Sequence, residues 1–173
     1  LIKSCVVNTV FDPADMISGD RNALMLAIRI TGYGPEYPYT SDCENCSHKN
    51  KVTAKLDHLG IKRLEIQPIE PGKNEFEYKL PVTKKSVTFK FLTDKDDKDR
   101  VAAAKFASKH LDTKVENNIT SFLEYSILSI DGIRDKNKIK HFVINMPAMD
   151  SKSLRKYINK KEPGMDMTHS YEC

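Results

Sequence analysis

Tyr37-Pro-Tyr-Thr-Ser-Asp-Cys43-Glu-Asn-Cys46-Ser-His-Lys-Asn-Lys-Val52-Thr-Ala-Lys-Leu56 decides how the chain is read. Two cysteines two residues apart can hold one metal ion from a tight turn, each thiolate taking one corner of a tetrahedron. Apolar and polar residues alternate on both sides, with Tyr37 and Tyr39 before the turn and Val52, Ala54 and Leu56 after it. The pattern predicts two strands joined by a cysteine knuckle. A second limb is needed to close a metal. Met165-Asp-Met-Thr-His-Ser-Tyr-Glu-Cys173 alternates in the same way and brings a third cysteine. Cys43, Cys46 and Cys173 are therefore the candidate ligands of a structural zinc, and His48 and His169 read either as ordinary exposed histidines, the plainer reading, or as substitutes for a fourth ligand. Two other readings stand beside this one: reduced cysteines in a surface turn, and a redox pair. The redox pair should open a helix after a strand, and no helical pattern follows Cys46.

Working outward, the clearest strand pair is Phe76, Tyr78 and Leu80 against Val87, Phe89 and Phe91, with charged or polar residues between them. The polar link Pro81 to Ser86 predicts a hairpin. Ile61 to Ile69 is a further expected strand, ended by Glu70-Pro71-Gly72. Asp12-Pro13 signals a helix start. Asn22 to Ile30 predicts a helix that is apolar nearly all round and hence central to the core, ended at Gly32-Tyr-Gly34-Pro35. Cys5, in the apolar run from Leu1 to Val10, is expected to be a buried, inert thiol.

The second half reads as helical. Asp94-Lys-Asp-Asp-Lys-Asp-Arg100 lacks the ligands and the glycine of a calcium loop, so its acids are read as the start of a helix running on through Val101 to His110. Val115, Ile119, Phe122, Leu123 and Ile127 predict another helix. Ile139, Phe142, Val143 and Met146 predict a third near Asp135, and Leu154, Tyr157 and Ile158 a fourth from Asp150 to Glu162-Pro163-Gly164. Lys152, Arg155, Lys156, Lys160 and Lys161 fall off the apolar side of that last helix. The bland reading is a solvated face, and the functional one is contact with nucleic acid or an acidic partner.

The chain has 173 residues, 39% of them hydrophobic and 30% charged, with a net charge of +4. With the signs interleaved, the charge balance does not argue for a nucleic-acid-binding role. Four cysteines at this length do not suggest a disulfide scaffold. Neither a membrane span nor a signal peptide is visible. No Gly-x-Ser-x-Gly elbow, His-Glu-x-x-His, Walker loop or dinucleotide fingerprint occurs, so no enzyme activity is expected. The expected fold class is α+β: a helical body with a β-hairpin and a small zinc-ribbon-like β subdomain. The expected organisation is a single-domain fragment over 1–173, with a ribbon-like subdomain at 36–58 plus 165–173, a hairpin at 74–92 and a helical part at 97–161.

Several stretches together carry a resemblance. They are Asp20-Arg-Asn-Ala-Leu-Met with Ile28-Arg-Ile-Thr-Gly-Tyr-Gly34, Cys43-x-x-Cys46, Leu80-Pro-Val-Thr-Lys-Lys-Ser-Val-Thr-Phe-Lys-Phe-Leu92, Asn145-Met-Pro-Ala-Met-Asp-Ser151 with Leu154-Arg-Lys-Tyr-Ile158, and Glu162-Pro-Gly-Met-Asp-Met167. In this order they resemble the baseplate hub protein family of T4-type contractile-tailed bacteriophages, which includes a hub assembly subunit. The resemblance implies a non-enzymatic structural or assembly role, located in the virion tail baseplate or in the host cytoplasm during assembly. It implies hetero-oligomeric contacts with other baseplate or hub proteins, and neither nucleic acid nor membrane as partner. It also implies that a second Cys-x-x-Cys begins at Cys173, so that Cys43, Cys46 and Cys173 match three of four zinc ligands in what is expected to be an internal piece of a longer protein. The residues that match family motifs without an obvious core role, Asp20, Arg21, Arg29, Lys84, Lys85, Asp150 and Arg155, are the expected interface positions. The alternative function is a zinc-ribbon nucleic-acid-binding module using the basic helix Ser151 to Lys161.

Overall fold

The structure, a computed structural model, describes residues 1–7, 12–110 and 118–173. In chain order the elements are α1 (Ile2–Cys5), a 3-10 turn at Pro13–Asp15, α2 (Ser18–Tyr33), β1 (Glu36–Asp42), β2 (Lys49–Lys55) and β3 (Gly60–Lys62). There follow β4 (Phe76–Lys79), β5 (Ser86–Phe89), α3 (Asp94–His110), α4 (Asn118–Ser126), β6 (Ile127–Ile130), α5 (Lys136–Ile144), α6 (Ala148–Lys161) and β7 (Gly164–Asp166). This is an α+β fold of helices and small antiparallel sheets. Among the described residues, no helix is long and apolar enough to cross a membrane. The chain divides into two compact units.

The larger unit comprises Ala14–Ser18 and Leu64–Glu162. Its sheet has the order β4-β5-β6, all antiparallel. Alternation sends Phe76, Leu80, Val87, Phe89 and Phe91 to one face, where Leu123, Ile139, Val143, Leu154 and Ile158 of the helices complete the core. The rings of Phe76, Phe89, Phe91, Tyr78 and Tyr157 interlock with centroids 4.5–5.9 Å apart. Thr93 caps α3 reciprocally: its hydroxyl accepts from Asp96 N at 3.2 Å, and the Asp96 carboxylate accepts from Thr93 N at 3.0 Å. Asp135 caps α5 by accepting from Asn137 N and Lys138 N.

Three expectations are corrected here. Ile127 does not extend the preceding helix. α4 ends at Ser126, and Ile127-Leu-Ser-Ile130 becomes the third strand, because Ile127 and Ile130 meet Phe89 and Val87 across the ladder. Of the strand expected from Ile61 to Ile69, only Ile61 and Lys62 pair, as part of β3, and Ile61, Leu64 and Ile69 are exposed. α2 is not central to the core. None of its residues is fully buried, since an apolar circumference needs neighbours on every side and α2 has them on one part only. The expectations placed on Val10 and Val115 lie outside the described residues.

The smaller unit comprises Leu1–Pro13, Gly19–Arg63 and Pro163–Cys173. It holds two two-stranded sheets, β1-β2 and β3-β7. Its described residues enclose few apolar side chains fully: Ile2, Ala54 and Leu56. α2 approaches the C-terminal segment closely. A Cβ placed on Gly19 would lie 1.9 Å from the Pro163 carbonyl oxygen, so only glycine permits this contact. Gly34, at φ +82°, ends α2 in the left-handed conformation and turns the chain into β1. Cys5, expected to be buried, is exposed.

Candidate metal centre

The β1-β2 ribbon pairs in full register from Glu36↔Lys55 to Asp42↔Lys49. Its alternation puts Tyr37, Tyr39 and Ser41 on one face with their partners Ala54, Val52 and Asn50. The connecting turn is closed at its base. Cys43 N donates to His48 O at 2.9 Å and Ser47 N donates to Cys43 O at 2.8 Å. Ser47 takes a positive φ of 55°, which bends the chain back into β2.

The C-terminal limb runs along the ribbon in step with β1. Tyr39 Oη and His169 Nδ1 lie 3.0 Å apart, and Tyr171 Oη donates to Ser41 Oγ at 2.8 Å. Each pair is 130 residues apart in sequence, so the limb advances two residues for every two of β1. The next step in that parallel register sets Cys173 against Cys43. The alternation of the limb thus has a physical cause: every second side chain faces the ribbon.

The sulfur atoms of Cys43, Cys46 and Cys173 all lie within 4.8 Å of one another, and Cys46 Sγ is 3.7 Å from Cys173 Sγ. Sulfurs around a tetrahedral zinc with bonds of ~2.3 Å stand about 3.8 Å apart, so this spacing fits the ion. The Asn50 amide donates to Cys173 Sγ at 3.5 Å and to His48 O at 3.3 Å, which orients the third thiol.

The electrostatics favour one thiolate first. The backbone N–H of Cys46 at the Cys43 sulfur, then that of Asn45 and then the neighbouring thiols draw the Cys43 thiol down to about 7. At Cys173 the Asn50 amide lowers the pKa, while the thiols of Cys46 and Cys43 raise it and prevail. A divalent cation would relieve that repulsion and let all three ionise. His169 is engaged by Tyr39, and His48 is exposed with its carbonyl in the turn. Beside the limb, the same unit holds a largely apolar cleft of about 650 Å³ lined by Met25, Leu26, Tyr37, Leu56 and Met167 among others.

Of the expected interface positions, Asp150, Arg29 and Lys85 are engaged within the fold. Asp150 is fully buried and accepts from Val82 N at 2.7 Å, Thr83 N at 3.0 Å and Thr83 Oγ1 at 2.8 Å, holding the tip of the β4–β5 hairpin. Arg29 donates to Gly34 O and Glu36 O and lies over the rings of Tyr33 and Tyr37. Lys85 pairs with Asp131 at 2.7 Å, and Lys84 takes a left-handed φ of 59° at the hairpin tip. The Nε atom of Arg155 is buried without a hydrogen-bond partner among the described residues. Asp20 is an acid in the first turn of α2, where the helix dipole favours it, and Arg21 is half-buried. Asn74 carried no signal in the sequence. Its side-chain amide pairs with both backbone groups of Phe91, at 2.8 and 3.0 Å, in place of a neighbouring strand.

A family model described as T4 bacteriophage base plate protein matches residues 1–173, the whole chain. Comparison with curated proteins and with solved structures returns no match.

Proposed function

This chain belongs to the T4 bacteriophage base plate protein family, and from that membership we propose that it is a non-enzymatic structural or assembly protein of the tail base plate hub. It acts through protein–protein contacts with other base plate or hub proteins, as part of a hetero-oligomer, in the virion tail or in the host cytoplasm while the tail is built. The full-length family match carries this reading. It is supported by the way the distinctive polar side chains are used: Asp150, Arg29 and Asn74 each hold backbone groups in place.

The proposed metal role is structural. Cys43, Cys46 and Cys173 would hold zinc, with a fourth ligand from outside this trio, and the ion would fasten the limb at 165–173 to the ribbon at 36–58 as one subdomain. Bound zinc would supply cross-linking in place of a hydrophobic core, which this small unit has little of. The chain's own groups do the positioning: the closed turn presents two thiols, the limb's register delivers the third and Asn50 orients it. The hairpin at 74–92 and the helical part at 97–161 are proposed as the body that carries this subdomain.

The test is purification of the tagged protein from phage-infected cells, with proteins and zinc measured on the same sample. Co-purification of base plate proteins with about one zinc per chain is the expected result. Recovery of nucleic acid without tail proteins would overturn the reading. Tail proteins without zinc would overturn only the metal.

A further inference from the structure

We propose that the outer face of α6, formed by Met149, Lys152, Lys156 and Lys160, docks an acidic segment of another base plate protein. This rests on the reading that the chain works by protein contacts, and it names the surface and the chemistry of the partner.

The face follows from helical spacing. Asp150, Leu154 and Ile158 recur every four residues and are buried, so they fix the inner side of α6. Lys152, Lys156 and Lys160 recur with the same spacing two residues out of step, about 200° around the helix. All three are exposed. They make a row that climbs about 6 Å and winds about 40° around the helix at each step. Met149 lies one turn before Lys152 and two turns before Lys156, on the same side, and is 71% exposed.

This row, like the exposed Lys79, Lys84, Lys95, Lys136, Lys138 and Lys140, differs from the paired lysines of its unit. Lys73, Lys85, Lys90, Lys98 and Lys161 each hold a carboxylate within 2.5–2.7 Å. From Ser151 to Lys161 the chain carries five cations and no acid. No ion pair joins Lys152, Lys156 or Lys160 to a described residue. Lys160 acts only as a minor, more distant influence on Glu65, which Lys161 holds. Like charges one turn apart weaken a helix, an effect that the place of Lys160 in the last turn of α6 offsets in part. Arg155 flanks the row with its buried Nε unpartnered.

The complement is a carboxylate row of equal pitch with an apolar group at one end, such as a helix bearing Asp or Glu at every fourth residue. A second copy of this chain does not supply it. Its densest acidic stretch starts α3, where Asp94, Asp96 and Asp97 are engaged by Lys98, Lys90 and Arg100. The exposed methionine in line with the lysines favours a protein over a phosphate backbone, because buried apolar anchors carry protein interfaces and contribute nothing to phosphate contacts.

The experiment uses the full chain in infected cells, with a photo-cross-linking residue replacing Lys156 and, separately, the variant Lys152→Gln/Lys156→Gln/Lys160→Gln. The expected results are a cross-link to an acidic segment of a base plate protein and about tenfold less co-purification of that protein with the variant, a factor of two to three for each exposed pair. Circular dichroism of the variant should match the parent, since the row lies outside the core. A cross-link to nucleic acid or to a non-acidic segment, or unchanged co-purification, would overturn the proposal. Unchanged co-purification of base plate proteins would leave the assembly role standing, whereas their absence from the parent sample would remove that role itself.

Discussion

Replacing Asp150 by alanine should unlatch the β4–β5 hairpin from α6. The carboxylate is fully buried and takes three hydrogen bonds, from Val82 N, Thr83 N and Thr83 Oγ1, at 2.7–3.0 Å. A hydrogen bond to a charged group contributes about 1.5–3 kcal/mol, so simple addition would give roughly 4.5–9 kcal/mol. That sum is too large. The three bonds share one acceptor group, and Val82 is half exposed, so water can reach part of the freed backbone. A loss of about 3–4 kcal/mol is expected for Asp150→Ala and about half of it for Asp150→Asn, which keeps one acceptor oxygen. In a chain of this size that corresponds to a fall in Tm on the order of 10 °C. Burial alone would raise the Asp150 pKa, but the Val82 and Thr83 N–H groups and the Thr83 hydroxyl outweigh it and hold the pKa below its ordinary 3.8. A depressed folded-state pKa adds stability that is complete above the unfolded value and is lost as pH falls through the folded one. Urea unfolding of the full chain should therefore show a gap between parent and Asp150→Asn that is constant above about pH 5 and narrows below about pH 4. A gap under about 1 kcal/mol for Asp150→Ala, or one independent of acid, would refute the latch.

Three more outcomes are expected. Cys173→Ser should weaken zinc binding at least about 100-fold in competition with a chromophoric chelator, while Cys5→Ser, at an exposed thiol outside the cluster, should leave it unchanged; equal affinity for Cys173→Ser would rule the limb out as a ligand. Gly19→Ala should cost about 2–3 kcal/mol or more in thermal unfolding, because its Cβ would meet the Pro163 carbonyl at 1.9 Å and backbone cannot yield as a side chain can; a neutral result would mean that the contact is not kept. Leu154→Ala, at a side chain with no exposure in the middle of the core, should lose about 3–4 kcal/mol in urea unfolding, and a loss below 1 kcal/mol would show that α6 is loosely packed.

Much of the fold was legible because period alone dictates it. The alternation of Phe76, Tyr78 and Leu80 against Val87, Phe89 and Phe91 can be buried only as a strand pair, and that is how it lies. Asp135 and Pro163 mark helix ends by local rules, and α5 and α6 obey them. The cysteine turn and its two strands follow from the alternation around Cys43 and Cys46. Ile127 was ambiguous: it continues the spacing of Phe122 and Leu123, yet it is β-branched and opens the short segment Ile127-Leu-Ser-Ile130. The empty edge of β5 resolves the choice in favour of a strand, and no window of sequence contains that edge. α2 misled for a related reason, since apolarity fixes what a helix can bury but not what stands beside it.

The candidate site was legible to the level of residue types. The three thiols could be named, and the alternation of the limb announced that one of its faces is covered. The parallel step between 39 and 169 and between 41 and 171, which brings Cys173 to Cys43, is a long-range register that local pattern does not encode. Asp150 and Asn74 were invisible as latches for the same reason: their partners lie 67–68 and 17 residues away. Asp150, Arg29 and Lys85, singled out by motif, are engaged inside the fold.

The most direct measurement removes the chain from a phage of this family and counts base plates by electron microscopy of the infected-cell lysate, with the intact gene supplied in trans as control. A structural or assembly protein of the hub predicts tails without complete base plates and their restoration by the supplied gene. Base plates of normal number and form in its absence would contradict the account.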